Sequence, residues 1–140
     1  MHQPYASVIP YMTKDGSEIR ELMHPAVQGN QNQSLAEATI PVGGKTHCHR
    51  HLMTEELYHV TQGQGRMHLD AKVFDVAPGD TICIAPGTHH WVENIGAMPL
   101  VILCCCSPAY TQDDTFLADQ PSHFESPSRR SASRCNCSSV

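Results

Sequence analysis

Residues 43–63 read GGKTHCHRHLMTEELYHVTQG and carry the most informative spacing in the sequence. After the first glycine come five residues and His49, one residue and His51, four residues and Glu56, then six residues and Gly63. Residues two apart on a β-strand point to the same face, so His49 and His51 are expected to aim at one centre. Glu56 follows on the next strand and adds a carboxylate to the two imidazoles. Gly63 falls where the chain must turn sharply without a side-chain penalty.

A second stretch, residues 79–94, reads GDTICIAPGTHHWVEN. After Gly79 come six residues, then Pro86 and Gly87, then two residues and His90, then three residues and Asn94. His90 therefore supplies another imidazole from a distant strand. It approaches the first stretch only if the sheet closes on itself.

The chain between Ser34 and Cys106 consists of short apolar stretches separated by Gly, Pro and Asp. Turn signals recur about every 8–12 residues, and no helical period extends beyond two turns, which indicates a sandwich or barrel. The architecture is therefore predicted to be all-β. The predicted strands are 35–40, 56–61, 66–69, 73–76, 81–84, 89–93 and 100–105.

Three regions are expected along the chain. Residues 1–33 form a strand and loop segment that packs on the barrel, in which 17–23 is either an edge strand or a short helix. Residues 34–117 form the barrel. Residues 118–140 form a Ser/Arg-rich tail with too few large apolar residues to order itself. Cys135 and Cys137 lie in this tail and could bind a soft metal, although the composition favours disorder.

The two spacings resemble the paired motifs of the cupin superfamily, G-x5-H-x-H-x(3,4)-E-x6-G and G-x5-P-x-G-x2-H-x3-N. One position departs from them, because Ala85 stands where the second motif has its first proline. The resemblance implies a cupin-type antiparallel β-barrel of the jelly-roll kind. It also implies that His49, His51, Glu56 and His90 ligate one divalent metal ion.

Other polar residues compete for these roles. A register slip of two residues would pair His47 with His49, but Glu56 would then follow too late. Glu55 is the alternative carboxylate, although only Glu56 leaves six residues before Gly63. The remaining histidines of the two stretches and their neighbours are expected at the surface or in packing contacts: His59, His68 and His89.

Composition excludes several classes of function. The chain has 140 residues, a formal net charge of −5 and only 9 lysines and arginines, so no basic face for nucleic acid is expected. The sequence shows no signal-peptide pattern and no apolar run of membrane-spanning length. It is therefore expected to be a cytoplasmic protein without a membrane partner. The 7 cysteines lack framework spacing, as expected in a reducing compartment.

Three imidazoles and one carboxylate suit Fe, Mn, Ni, Zn or Cu, and the ligand set alone does not choose among them. The leading expectation is a dioxygenase-type enzyme of a small oxygenated or anionic molecule. The alternatives are an isomerase, epimerase or decarboxylating lyase, and a non-catalytic binding module. Tyr58 shares the strand face of Glu56 and is either a proton or hydrogen-bond donor to substrate or a core aromatic. Arg20 and Lys45 are either anion-binding or solvated. The resemblance implies a homodimer.

Overall fold

The computed structural model of the chain describes residues 1–118. The predicted tail, with Cys135 and Cys137, lies outside the described residues from position 119 onward. Within residues 1–118 no helix is long and apolar enough to cross a membrane.

The regular elements of the described part of the chain are short strands, preceded by one 3-10 turn at Tyr5–Ser7. The strands are β1 (Tyr11–Met12), β2 (Glu18–Met23), β3 (Ser34–Ile40), β4 (His49–His51), β5 (Glu55–Gln62), β6 (Gly65–Leu69), β7 (Lys72–Val76), β8 (Thr81–Ile84), β9 (His90–Asn94), β10 (Leu100–Ser107) and β11 (Thr115–Leu117).

These strands form two antiparallel sheets. The six-stranded sheet has the order β1-β2-β3-β10-β5-β8, and the five-stranded sheet has the order β11-β4-β9-β6-β7. β10 lies inside the larger sheet, where it pairs with β3 on one side and with β5 on the other. The predicted all-β fold is confirmed.

Strand alternation directs one face of each sheet inward. In β5, Glu56, Tyr58 and Val60 are buried while their neighbours are exposed, and β10 buries every second residue from Leu100. Burying such an aliphatic side chain contributes roughly 1.5–3 kcal/mol. The core lies between the two sheets, and its most deeply buried aliphatic side chains are Ile40, Val60, Met67, Ile84, Val92, Leu100 and Ile102. Glu56 therefore shares the face of a strand that otherwise builds the core.

The N-terminal segment extends the larger sheet. Residues 18–23 form strand β2 and not a helix, and β2 pairs with β3 along one edge and β1 along the other. The turn between β1 and β2, residues 13–17, reaches toward β4, since the His47 amide donates to the Asp15 carbonyl at 2.6 Å. This contact brings the N-terminal segment to the histidine stretch.

Gly63 is required by two features of its turn. Its φ of +82° lies in the left-handed region that favours glycine. A Cβ at this position would lie 2.7 Å from the Pro99 carbonyl oxygen and 2.9 Å from Leu100 Cα. Gly79 has a similar φ of +94°, but a Cβ there would meet nothing within 4 Å. The expected role of Gly63 in a sharp turn is therefore confirmed.

Candidate metal centre

Three strands bring the four predicted ligands together. His49 and His51 lie on β4, Glu56 on β5 and His90 on β9, where His90 pairs directly with His49. All four side chains are buried, and one potential ligand atom from each lies within 4.8 Å of the others. The sequence spacing thus corresponds to a real cluster of three imidazoles and one carboxylate.

Backbone carbonyls orient two of the imidazoles. His49 Nδ1 lies 2.8 Å from the His47 carbonyl oxygen, and His90 Nδ1 lies 3.0 Å from the Thr88 carbonyl oxygen. Because a carbonyl oxygen only accepts, Nδ1 must carry the proton in both rings. Nε2 then keeps its lone pair and faces the centre of the cluster, as a metal ligand requires.

Thr115 orients the third imidazole. Its hydroxyl donates to the Thr111 carbonyl oxygen at 2.8 Å and lies 3.2 Å from His51 Nδ1. Since the hydroxyl proton is committed to Thr111, the Thr115 oxygen accepts from Nδ1–H of His51. All three rings are thereby held in the tautomer that offers Nε2 to the cluster.

The Glu56 carboxylate faces the lone pairs of two imidazole nitrogens. Its Oε2 lies 3.2 Å from His51 Nε2 and 3.3 Å from His90 Nε2, while Oε1 accepts from the Cys106 thiol at 3.5 Å. Glu56 Oε2 and His90 Nε2 are fully buried and have no hydrogen-bond partner among residues 1–118. Two acceptors at this distance are unfavourable unless a proton or a cation lies between them. The donor set therefore fits one metal ion.

The charges of the cluster follow from burial and proximity. Burial and the neighbouring His90 lower the pKa of His49 to about 4, so this ring is neutral at pH 7. Burial alone would raise the pKa of Glu56, but the contacts with His51 and His90 lower it well below its usual range. The pKa of His51 is raised by Glu56 although burial opposes this. Without a metal, a proton is thus favoured between His51 and Glu56, and a bound cation would displace it.

Asp114 holds the turn that joins the second imidazole to the carboxylate. Its two carboxylate oxygens accept hydrogen bonds at 3.1 Å from the backbone amides of residues 52, 53 and 54. The position of Glu56 relative to His51 is therefore fixed by a residue that lies far away in the sequence.

The structure places the rival residues away from the cluster. His47 and Glu55 are exposed, so neither the slipped register nor the alternative carboxylate is observed. His59 contacts the Thr81 hydroxyl at 2.7 Å. The other two histidines also lie outside the cluster. The ring of His68 stacks on Trp91, and His89 is half-buried near the exposed Asp70 carboxylate.

The ligand cluster opens into a cavity between the sheets. Its volume is about 50 Å³, which is enough for ordered water or a small molecule to enter. Tyr58 lines this cavity, and its ring packs edge-on against His90 with centroids 5.9 Å apart. Burial raises the pKa of the Tyr58 hydroxyl well above its ordinary value, so the phenol stays protonated.

Asp15 also lines the cavity and was not singled out by the sequence. Its Oδ2 lies 3.9 Å from His49 Nε2. Burial would raise the pKa of this carboxyl, but the neighbouring His49 and hydrogen bonds from Ser17 and Thr13 lower it overall. A lone Asp-Gly pair in the N-terminal segment indicates only a turn, so no local signal pointed to this role.

Residues 36–106 match the family model described as Cupin domain, and an uncharacterized protein of Methanocaldococcus jannaschii, MJ1618, is 53% identical over 111 residues. That alignment covers 79% of this chain and 89% of the archaeal protein. The chain is a cupin. The superfamily expected from the two motifs is therefore confirmed.

More distant relatives share this fold. An oxalate-binding protein of Thermotoga maritima is 27% identical to this cupin over 86 residues, which cover 61% of this chain and 71% of that protein. The solved structure of a predicted oxalate decarboxylase of Thermotoga maritima superposes with a TM-score of 0.68 at 22% identity, covering 77% of this chain and 99% of the other. At that identity the superposition establishes a common fold.

Proposed function

We propose that this cupin is a metal-dependent enzyme that acts on a small oxygenated or anionic molecule at the cluster of His49, His51, Glu56 and His90. The observation that carries the proposal is a pair of buried ligand atoms, on Glu56 and His90, that have no hydrogen-bond partner in the described part of the chain. A site with unpaired acceptors costs stability unless an occupant satisfies them, and this one borders a cavity.

The reaction class that we propose first is a dioxygenase-type reaction. A bound divalent ion would supply Lewis-acid and oxygen-activating chemistry, with Fe, Mn, Ni, Zn and Cu as candidates. Of the chain's own groups, Tyr58 donates a hydrogen bond or a proton to the substrate, because its buried phenol stays protonated and lines the cavity.

A specific observation favours a second candidate, an isomerase, epimerase or decarboxylating lyase. Asp15 presents a carboxylate oxygen 3.9 Å from a ligand nitrogen, which places an acceptor for a substrate proton beside the cluster. Such reactions need proton transfer and no dioxygen. Two relatives carry oxalate in their names, so oxalate is one candidate substrate.

The test is a substrate panel of diketones, catechols, oxalate and keto-sugars, assayed with the metal-loaded protein in air and under argon. Oxygen-dependent turnover supports the first reaction class, and oxygen-independent turnover supports the second. Tyr58→Phe is expected to lower kcat at least about tenfold in either case. Loss of turnover in Glu56→Ala but not in Glu55→Ala assigns the activity to this cluster. An absence of turnover with every compound contradicts the enzymatic proposal and leaves a binding module.

A further inference from the structure

The wall of the cavity beyond the ligand cluster carries two carboxylates from the N-terminal segment. Asp15 lies in the turn between β1 and β2, and Glu21 lies on β2; both line the same cavity as His49 and Glu56. Beside Glu56, these are the acidic residues among positions 1–118 that line the cavity, and they place hydrogen-bond acceptors on that side.

Asp15 uses its two oxygens differently. Oδ1 accepts hydrogen bonds from the Thr13 hydroxyl at 2.6 Å, the Ser17 hydroxyl at 2.6 Å and the Ser17 amide at 3.0 Å. These contacts fix the carboxylate. Oδ2 accepts none of them and lies 3.9 Å from His49 Nε2. It is therefore an oriented acceptor beside the ligand cluster.

Glu21 also has one committed and one free oxygen. Oε2 accepts from the Tyr11 hydroxyl at 3.0 Å, whereas Oε1 is buried and has no hydrogen-bond partner among residues 1–118. A buried acceptor without a donor costs stability, so it marks a place where an occupant can supply the donor.

No lysine or arginine within residues 1–118 lines the cavity to balance these acids. Arg20 donates to the Val8 carbonyl oxygen at 2.9 Å, and Lys45 lies over the Trp91 ring at 5.5 Å. Neither therefore serves the cavity as an anion-binding group. A divalent cation would be neutralised by the carboxylates of Asp15 and Glu56, which leaves no excess positive charge to attract a dianion.

We propose that the cavity selects a small metal-chelating molecule whose far end presents a hydroxyl or ammonium donor to Asp15 and Glu21, and that it rejects dicarboxylates. This inference rests on the proposed metal-dependent function and narrows its substrate class. It disfavours oxalate, which has two carboxylates and no donor at neutral pH.

Three probes with the same 2-hydroxycarboxylate head test the inference: tartronate, glycerate and isoserine. On the carbon that bears the hydroxyl they carry, as the second substituent, a carboxylate, a hydroxymethyl group and an aminomethyl group, respectively. Metal content is measured first, and binding of each probe to the Mn²⁺-loaded full-length chain is then measured by isothermal titration calorimetry. We expect isoserine and glycerate to bind at least about tenfold more tightly than tartronate, the effect of one hydrogen bond to a charged group.

Two variants assign the preference to the acids. Glu21→Gln and Asp15→Asn are each expected to weaken isoserine about tenfold and to strengthen tartronate, with metal content unchanged in Glu21→Gln. Glu18→Gln is the matched control, because Glu18 lies on the same strand, is exposed and gives the same change in net charge. It is expected to bind all three probes as the wild type does.

The outcomes separate this inference from the proposed function. A protein that fails to bind Mn²⁺ contradicts both. A metal-loaded protein that binds tartronate as tightly as isoserine, or that binds none of the three probes, overturns the substrate class and leaves the metal site intact. Equal effects of Glu18→Gln and Glu21→Gln also overturn it, because they would show a dependence on net charge alone.

Discussion

Thr115→Val tests whether the histidine ligands are held in one tautomer. The substitution keeps the volume of the side chain but removes the oxygen that accepts from His51 Nδ1 at 3.2 Å. In the metal-free variant the His51 proton can move to Nε2, where Glu56 Oε2 at 3.2 Å accepts it. With a metal on Nε2 the proton must stay on Nδ1, which then loses the Thr115 oxygen and keeps only its backbone contact with Asp114. The penalty therefore falls mainly on the metal-bound state.

The size of this penalty follows from the burial of both residues. Thr115 is 3% exposed and His51 4% exposed, so no solvent replaces the lost acceptor. Losing one buried hydrogen bond costs about 0.5–1.5 kcal/mol, which corresponds to a loss of about 2- to 13-fold in metal affinity. The affinity is measured by titrating metal-free protein with Zn²⁺ and Mn²⁺ against a competing chelator.

Thr115→Ser provides the control, since it restores the hydroxyl while removing the methyl group. We expect Thr115→Ser to bind metal within a few-fold of the wild type. Urea unfolding of the metal-free variants separates a change in affinity from a general loss of stability. A valine variant with wild-type affinity, or a serine variant as weak as the valine variant, refutes the assignment of the His51 tautomer.

Three further predictions concern stability. Gly63→Ala should lower the free energy of unfolding by about 3 kcal/mol or more, because the added Cβ meets the Pro99 carbonyl oxygen. Gly79→Ala should lower it only by the roughly 1–2 kcal/mol of backbone strain. Equal losses in urea unfolding would show that the Cβ of residue 63 meets no steric clash. The pKa of His49 is about 4 in the folded protein and 6.5 in the unfolded chain, so the unfolded chain takes up this proton at the higher pH. The free energy of unfolding of the metal-free protein should therefore fall by up to roughly 3 kcal/mol between pH 6.5 and pH 4. His49→Asn should reduce this loss of stability when urea unfolding is measured at each pH. An unchanged dependence on pH would show that another group causes the loss. Asp114→Ala should lower the free energy of unfolding by about 2 kcal/mol, because it removes the acceptor of three backbone amides. A variant as stable as the wild type would show that the turn does not depend on Asp114.

The four cluster residues could be predicted because their information is local in the sequence. The alternation of β4 sets His49 and His51 on one face, and the distance to Gly63 distinguishes Glu56 from Glu55. The predicted strands of the barrel were found within a few residues of their positions. The assignment of these residues as metal ligands stays a prediction until a metal is measured.

The supporting residues could not be predicted, because their positions depend on how distant segments meet. Thr115 lies on the short strand β11, which was not predicted and pairs with β4. Asp15 reaches His49 because the N-terminal turn folds across to β4, and no spacing within residues 13–17 encodes that contact. Arg20 and Lys45 were candidate anion-binding residues, and neither lines the cavity.

Elemental analysis of purified, untagged protein measures whether the cluster binds metal. We expect about one divalent ion per chain in the wild type and in Glu55→Ala, and its loss in Glu56→Ala, although both variants remove a carboxylate from neighbouring positions of β5. A folded wild-type protein that contains no metal, and that takes up none of Fe²⁺, Mn²⁺, Ni²⁺, Zn²⁺ or Cu²⁺ when these are added, would contradict this expectation.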